Sequence, residues 1–362
     1  MKSTNIYSLL LLVVIGSSKA DQQNFVYNSD AIQLLEKNTS SNLKITNGNV
    51  ANLSDFPYAS SIYADLGNLS YTCTGSLIGR GVIMTAAHCL YSFLRDRTPA
   101  SSMLVSVGSS SNALTNPKVY NVSYTIPYPD FYKGSIVGDI GLIMYNQTEP
   151  DSIPYAKIYG NKITDDIPVK AAGWGVTSYS DNLDPDFPVF LMSVSLQISS
   201  TDVCSDLSNS WTSNDGNLIC AETVDGKSIC SGDSGGPLAY SGVSPMPIIG
   251  ITSFSNSLFH DPESGEGYKC GSEGEADYFT HAFNYIDWIV ENSGLDKDSL
   301  IYYELTSNSS NSDSVSGTFS GSTFVSSNSL SKNPSSVSPS TQPLFNSFTS
   351  ALTLIICLFC LI

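Results

Sequence analysis

Between Ile45 and about Gly294 the chain is written in short strand-length runs, and no long helical period interrupts them until the last few turns. GSLIGRGVIMTAA, MLVSVG, DIGLIMY, VKAAGWG, FLMSVSLQIS and PIIGITSF are rich in β-branched and aromatic residues, and clusters of Gly, Pro, Asn and Ser separate them. Such runs suit a pleated, half-buried surface, and the separators punctuate turns, so the pattern predicts an all-β domain, either barrel or sandwich. One stretch departs from it. Ala282, Tyr285, Ile286, Ile289 and Val290 recur at helical spacing before Asn292 and Gly294, which predicts a helix at the end of the domain.

A chain of 362 residues has room for two domains. Composition allots it one, because the segment from Thr306 to Pro343 is dominated by Ser, Asn, Thr and Pro and offers almost no large apolar residue to bury. The reading is a globular domain over 45–294, a Ser/Thr/Asn-rich disordered stalk over 295–343 and a hydrophobic tail over 344–362. The tail is short for a spanning helix and has no basic residue after it, and behind a polar spacer it fits a glycolipid-attachment signal better than a retained anchor. At the other end, residues 1–20 place Lys2 before an apolar run and finish on small residues, the build of a secretory signal peptide. The expected location is therefore outside the cell, held at its surface by the lipid.

A secreted chain with eight cysteines is expected to hold most of them in disulfides. Asn52, Asn68, Asn121, Asn146 and Asn308 each begin an Asn-x-Ser/Thr sequon and are candidate glycosylation sites. The formal charge of -17, from 33 acidic against 16 basic residues, opposes binding to phosphate backbones and anionic lipid, so nucleic acid is not an expected partner. An acidic, solvated surface also favours a monomer.

The chemistry is concentrated in three places. In CSGDSGGP, Cys230 to Pro237, a serine stands among glycines. A serine hydroxyl is a weak nucleophile that needs a base to take its proton and fixed donors for the oxyanion that forms. Ser234 is the candidate nucleophile, and the NH groups of Gly232 and Ser234 are the candidate oxyanion hole. TAAHC, Thr85 to Cys89, follows an apolar strand with His88, whereas His260 and His281 sit in polar segments. His88 is the candidate base. DIGLI opens an apolar strand with Asp139, whose carboxylate is tolerable in a buried setting only when paired. A histidine NH is a suitable partner, and that bond fixes the tautomer that leaves the other ring nitrogen free.

His, Asp and Ser in this order, each inside its own motif, resemble the trypsin and chymotrypsin family of serine proteases from Ile45 to about Gly294. Ile45-Thr46-Asn47-Gly48 looks like that family's mature amino terminus and Gly173-Trp174-Gly175 like its GWG. The resemblance implies two six-stranded antiparallel β-barrels with the site between them, peptide-bond hydrolysis through an acyl-enzyme, and neither cofactor nor metal. It implies protein or peptide substrates, an activating protease and protein inhibitors as partners. It also selects the pairings Cys73 with Cys89, Cys204 with Cys220 and Cys230 with Cys270, which sequence alone leaves open. Lys44 before Ile45 marks a cut that would free an ammonium to pair with Asp233, so residues 21–44 read as a propeptide and Asp233 is expected to turn inward only once that amine exists.

The substrate pocket is less definite. Ser228, six residues before the nucleophile, falls at the pocket base, where Ser is the chymotrypsin-like choice. Counting back from Trp288 puts Asp277 on the pocket wall, where a carboxylate would receive Lys or Arg; a slip of one residue in the loop from Asn256 to Glu275 would put Ala276 or Tyr278 there instead. Ser253 and Ser255 complete the expected substrate-binding set, with Ser255 narrowing the rim. Two other readings compete with an active endopeptidase: a non-catalytic homologue that binds, and an adhesion protein whose stalk is its essential part.

Overall fold

The computed structural model describes residues 48–67, 69–92, 95–131, 137–147, 152–179, 185–257 and 270–304. Signal peptide, propeptide, Lys44, Ile45, Asn68, Asn308, the stalk from residue 305 onward and the tail lie outside them. The strands are β1 (Asn49–Val50), β2 (Ala59–Asp65), β3 (Ser70–Gly79), β4 (Val82–Thr85), β5 (Met103–Val107), β6 (Tyr120–Pro127), β7 (Gly141–Tyr145), β8 (Ile158–Tyr159), β9 (Val169–Gly173), β10 (Ser178–Tyr179), β11 (Pro185–Asp186), β12 (Met192–Ile198), β13 (Leu218–Glu222), β14 (Pro237–Tyr240), β15 (Ile248–Ser257), β16 (Glu275–His281) and β17 (Ile301–Tyr302). Among the described residues there are three short α-helices: α1 (Asp202–Leu207), α2 (Ile286–Ser293) and α3 (Lys297–Leu300).

Strands β2 to β7 close a barrel in the order β2-β3-β4-β7-β6-β5. A second ring runs β14-β9-β12-β13-β16-β15 and closes through the β14–β15 pairing, every neighbour antiparallel. The all-β expectation is met, and so is the two-barrel form that the resemblance implied. Closure leaves no exposed ladder in either ring, and the inward side chains fill the space. Buried residues of the first barrel, on one face of its strands or the other, include Ile62, Leu77, Ile83, Met84, Val105, Leu142 and Ile143, all essentially inaccessible. Strand β4, buried along its whole length, reads as a continuous apolar run, whereas β6 keeps several residues in water and carries exposed Tyr124.

The cysteines pair as expected, Cys73 with Cys89, Cys204 with Cys220 and Cys230 with Cys270. The predicted helix is present as a 3-10 turn, Ala282–Tyr285, running into α2, and Gly294 ends it in the left-handed conformation at φ 70°. That glycine is a helix cap and not the domain boundary. Asp296 caps α3 by accepting the Ser299 NH at 2.8 Å, Leu300 is buried, and β17 then lies parallel to β8 with Tyr302 stacked on Tyr159 at 6.1 Å. The folded unit therefore continues to Glu304, ten residues into what reads from sequence as stalk; the apolar content of Leu300 to Tyr303, too short for a periodic signal, is what holds it.

Leu300→Ala removes a side chain that is 2% exposed and leaves a cavity under the last strand. Denaturant unfolding of the folded domain is expected to show a loss of about 2–5 kcal/mol.

Candidate active site

The site is assembled by register. Thr85 at the end of β4 pairs with Gly141 at the start of β7, so a residue just past β4 and a residue just before β7 fall side by side. His88 opens the 3-10 turn His88–Leu90, and Asp139 sits two residues ahead of β7. The turn packs tightly on Gly141, where an added Cβ would lie 2.5 Å from Leu90 Cδ1. Asp139 Oδ2 meets His88 Nδ1 at 2.8 Å, and Oδ1 accepts the His88 backbone NH at 2.9 Å. Both carboxylate oxygens are thus committed to one residue, which fixes ring orientation and tautomer.

Two further donors support this acid. Ser253 Oγ donates to Asp139 Oδ2 at 2.6 Å, and Thr280 Oγ1 donates to the Asp139 carbonyl at 2.9 Å. Ser253 is the extra residue of a bulge, since β15 pairs Thr252 with Phe279 and Phe254 with Tyr278 across β16. Bulges re-aim side chains beside functional sites. The hydroxyl of Ser253, expected in the substrate site, is turned here onto Asp139. His88 keeps 31% of its side chain exposed while Asp139 keeps 4%. Burial alone would pull the imidazole pKa down, but the Asp139 charge and hydrogen bond outweigh it and hold the pKa above its usual 6.5.

Ser234 enters from the second barrel. Its carbonyl accepts the Thr74 NH of β3 at 2.8 Å and lies 3.5 Å from Cys89 Sγ, so the serine stands beside the turn that carries His88. The loop can approach so closely because Gly232 and Gly235 take φ of +100° and +79°. A Cβ on Gly235 would lie 2.0 Å from Thr85 Oγ1. The structure thus gathers His88, Asp139 and Ser234 at the junction of the barrels.

Asp233 is buried and turned inward. Its Oδ1 accepts the Gly175 NH at 2.8 Å and its Oδ2 the Cys230 NH at 2.9 Å. Burial raises its pKa to about 7, with those two backbone bonds acting in the opposite sense. The glycines of Gly173-Trp174-Gly175 have a reason here: a Cβ on either would fall 2.3–2.4 Å from the Asp233 carboxyl. Two backbone donors hold this side chain inward, and Ile45, whose amine was expected beside it, lies outside the described residues.

The pocket residues also converge. Asp277 is fully buried and accepts from Ser228 Oγ at 2.9 Å, Ser255 Oγ at 2.7 Å and the Ile229 NH at 3.1 Å. The count from Trp288 thus places Asp277, and neither Ala276 nor Tyr278, against Ser228. Ser255, expected on the rim, sends its hydroxyl down to this acid. Glu275 is a site residue that the sequence reading missed. Its Oε1 lies 2.8 Å from Ser228 Oγ and its Oε2 accepts the Ser272 NH at 2.8 Å. The signal was available: acids two apart in one strand share a face. Cys73, His88 and Cys89 come within 4.8 Å of one another, but both sulfurs are joined in a disulfide and offer no thiolate to a metal.

Comparison with known proteins agrees with this geometry. The family model described as Trypsin matches residues 45–289. Serine protease 1 of Drosophila melanogaster is 32% identical over 267 residues, covering 70% of this chain and 86% of that protein. The phenoloxidase-activating enzyme of Bombyx mori is 30% identical, covering 68% of this chain and 60% of its own length. A solved structure titled HL collagenase superposes with a TM-score of 0.53 at 28% identity, covering 70% of this chain and 100% of that one. The chain belongs to the trypsin family of serine proteases.

Titration of His88, followed by the NMR shift of its ring, is expected to give a pKa above 6.5 in the wild type. Asp139→Asn removes the charge that offsets burial, so the same titration should then fall below the usual value.

Proposed function

We propose that this chain is a secreted serine endopeptidase with His88, Asp139 and Ser234 as its triad. The observation that carries the reading is the doubly bonded Asp139–His88 pair standing beside the Ser234 loop. Ser234 Oγ attacks the scissile carbonyl while His88 Nε2 takes its proton, and Asp139 stabilises the imidazolium that results. The NH groups of Gly232 and Ser234 receive the oxyanion. His88 then returns the proton to the leaving amine, and water enters by the same route in reverse to release the acyl group.

The chain is made as a zymogen cut after Lys44. The new Ile45 ammonium is the natural counter-charge for Asp233, whose two backbone donors leave its charge unmatched. A protease acting on another protein is also the sense of the relative's name, phenoloxidase-activating enzyme. The signal peptide, stalk and C-terminal tail place the enzyme at the cell surface through a lipid. Asn52, Asn121 and Asn146 are exposed, as glycosylation requires.

The preferred residue before the cut bond is Lys or Arg, with Asp277 supplying the negative charge. Its contact with Ser228 at the position expected for the pocket base supports this choice over an aromatic side chain.

Labelling with a fluorophosphonate probe separates an active enzyme from a binding homologue. Protein cleaved between Lys44 and Ile45 should react at Ser234, and an uncut Lys44→Gln protein should not. Ser234→Ala is expected to fold and to lose turnover on the order of a millionfold, the scale seen when a triad serine is removed. Equal hydrolysis by Ser234→Ala and wild type would end the mechanism.

Matched Arg and Phe peptides test the pocket. The wild type should favour Arg, and Asp277→Gly should abolish that preference; a wild type that favours Phe refutes the assignment.

A further inference from the structure

Residues 295–304 lie beyond the span that the family model matches, 45–289. Membership of the family therefore supplies no role for them, and a role has to follow from their contacts. The segment is fastened at both ends. At its start, Leu295 packs on Gly79, the last residue of β3, so closely that a Cβ on that glycine would overlap the leucine side chain. At its end, Glu304 accepts the Tyr240 hydroxyl at 2.7 Å, its other carboxylate oxygen lies 3.4 Å from the Tyr159 hydroxyl, and its NH bonds Asn161 Oδ1 at 2.8 Å. Tyr240 closes β14. One short segment thus holds a strand of the first barrel and a strand of the second.

Between those ends the segment lies along the stretch that joins the barrels. Strand β7 ends in the first barrel at Tyr145, β9 starts in the second at Val169, and the chain between them carries β8. In this connector the Ala156 NH bonds the Leu77 carbonyl of β3 at 2.8 Å, and the Lys157 carbonyl accepts the Ile248 NH of β15 at 2.7 Å. The segment adds to it as β17. Ile301 pairs with Ile158, the Gly160 NH donates to the Tyr302 carbonyl at 2.9 Å, and Lys157 Nζ donates to the Ser299 carbonyl. Gly160 is needed there, since a Cβ would overlap Tyr303 and Ile301. Bending the connector means stripping these contacts.

The two strands that the segment holds are also the two that meet beside the nucleophile. Thr74 of β3 bonds the carbonyls of Ser234 and Gly232, and β14 begins three residues after Ser234. Gly79 stands five residues along β3 from Thr74, roughly 15 Å away at the rise of a strand. Two bodies joined at one point can pivot about it, and a second fixture at a distance removes that freedom. The displacement that matters is small, because about 1 Å between reacting groups costs on the order of a hundredfold in rate.

We propose that residues 295–304 form a clasp that fixes the angle between the two barrels, with Leu295 and Glu304 as positioning residues that keep Ser234 aligned with His88, a role that rests on the chain being the proposed protease. Opening either end lets the barrels pivot, and hydrolysis slows. Recognition is spared, because Ser228, Ser255 and Asp277 all belong to the second barrel and move together. Everything on the C-terminal side of residue 304 reaches the catalytic domain only through this clasp. A pull or a proteolytic cut there acts on turnover and leaves substrate binding as it was.

The test uses processed full-length protein, counts active sites by endpoint labelling with a fluorophosphonate, and expresses peptide turnover per labelled serine. That normalisation removes unfolded protein, so a loss of stability alone does not move it. Leu295→Ala and Glu304→Ala should each lower kcat per labelled serine about tenfold at unchanged KM, the effect of a shift well under 1 Å. Glu304 is exposed, so its variant is expected to fold even where Leu295→Ala does not. Glu304→Gln keeps an acceptor for the Tyr240 hydroxyl and should recover most of the loss. A clasp released at one end no longer holds at the other, so the double variant should be no slower than the slower single one, the mark of coupled sites. Unchanged kcat per labelled serine in Glu304→Ala, or losses that multiply in the double variant, overturns the clasp and leaves the protease reading standing. Wild type that neither labels nor hydrolyses overturns the protease reading and the clasp with it.

Discussion

Thr74 is where the two barrels become one object. Its NH bonds the Ser234 carbonyl at 2.8 Å, its Oγ1 bonds the Gly232 carbonyl at 3.0 Å, and its own carbonyl takes Thr85 Oγ1 at 2.8 Å. A single residue of β3 therefore holds the serine loop of one barrel against the strand that leads to His88 in the other. The Cys73–Cys89 disulfide ties β3 covalently to the turn that carries His88. Small residues are required around this joint, since a side chain on Gly235 would overlap the Thr74 carbonyl and the Thr85 hydroxyl. Positioning reacting groups from separate elements to within a fraction of an ångström needs such a rigid link, because a displacement of about 1 Å costs on the order of a hundredfold in rate.

Four buried acids then serve different ends, and their donors show which. Removing a carboxylate from water costs several kcal/mol unless partners replace the lost hydration. Asp139 has the ring and backbone of His88 and the Ser253 hydroxyl. Asp233 has two backbone NH groups, enough to orient it and too few to neutralise it. Asp277 and Glu275 share a serine. The same functional group is thus held by three different donor sets.

What the sequence revealed and what it hid follow from the range of each contact. His88, Asp139 and Ser234 were legible because each stands in its own local motif, and the strands around them carry continuous apolar runs. Asp277 was legible through a helix whose register holds back to β16. Thr74 was not, since its partners lie far away in sequence and a threonine in a strand carries no mark of them. The role of Ser253 was hidden for a related reason: a bulge sets its direction, and bulges leave little trace in composition. Reading the residues alone reached all-β, and the closed rings came from resemblance, because short strands with even spacing suit sandwich and barrel alike. The end of the domain was misplaced because Gly294 is a helix stop and the buried Leu300 beyond it stands alone.

Strands β15 and β16 bind these observations together. Ser253 and Ser255 lie on one strand, two residues apart, yet one hydroxyl reaches Asp139 and the other Asp277. Thr280 of β16 holds the Asp139 backbone, while Asp277 and Glu275 of the same strand meet Ser228. One two-stranded ribbon therefore sets the direction of both the Asp139 and the Asp277 carboxyl groups. Interactions realised through such a frame raise turnover only to the extent that they strengthen in the transition state.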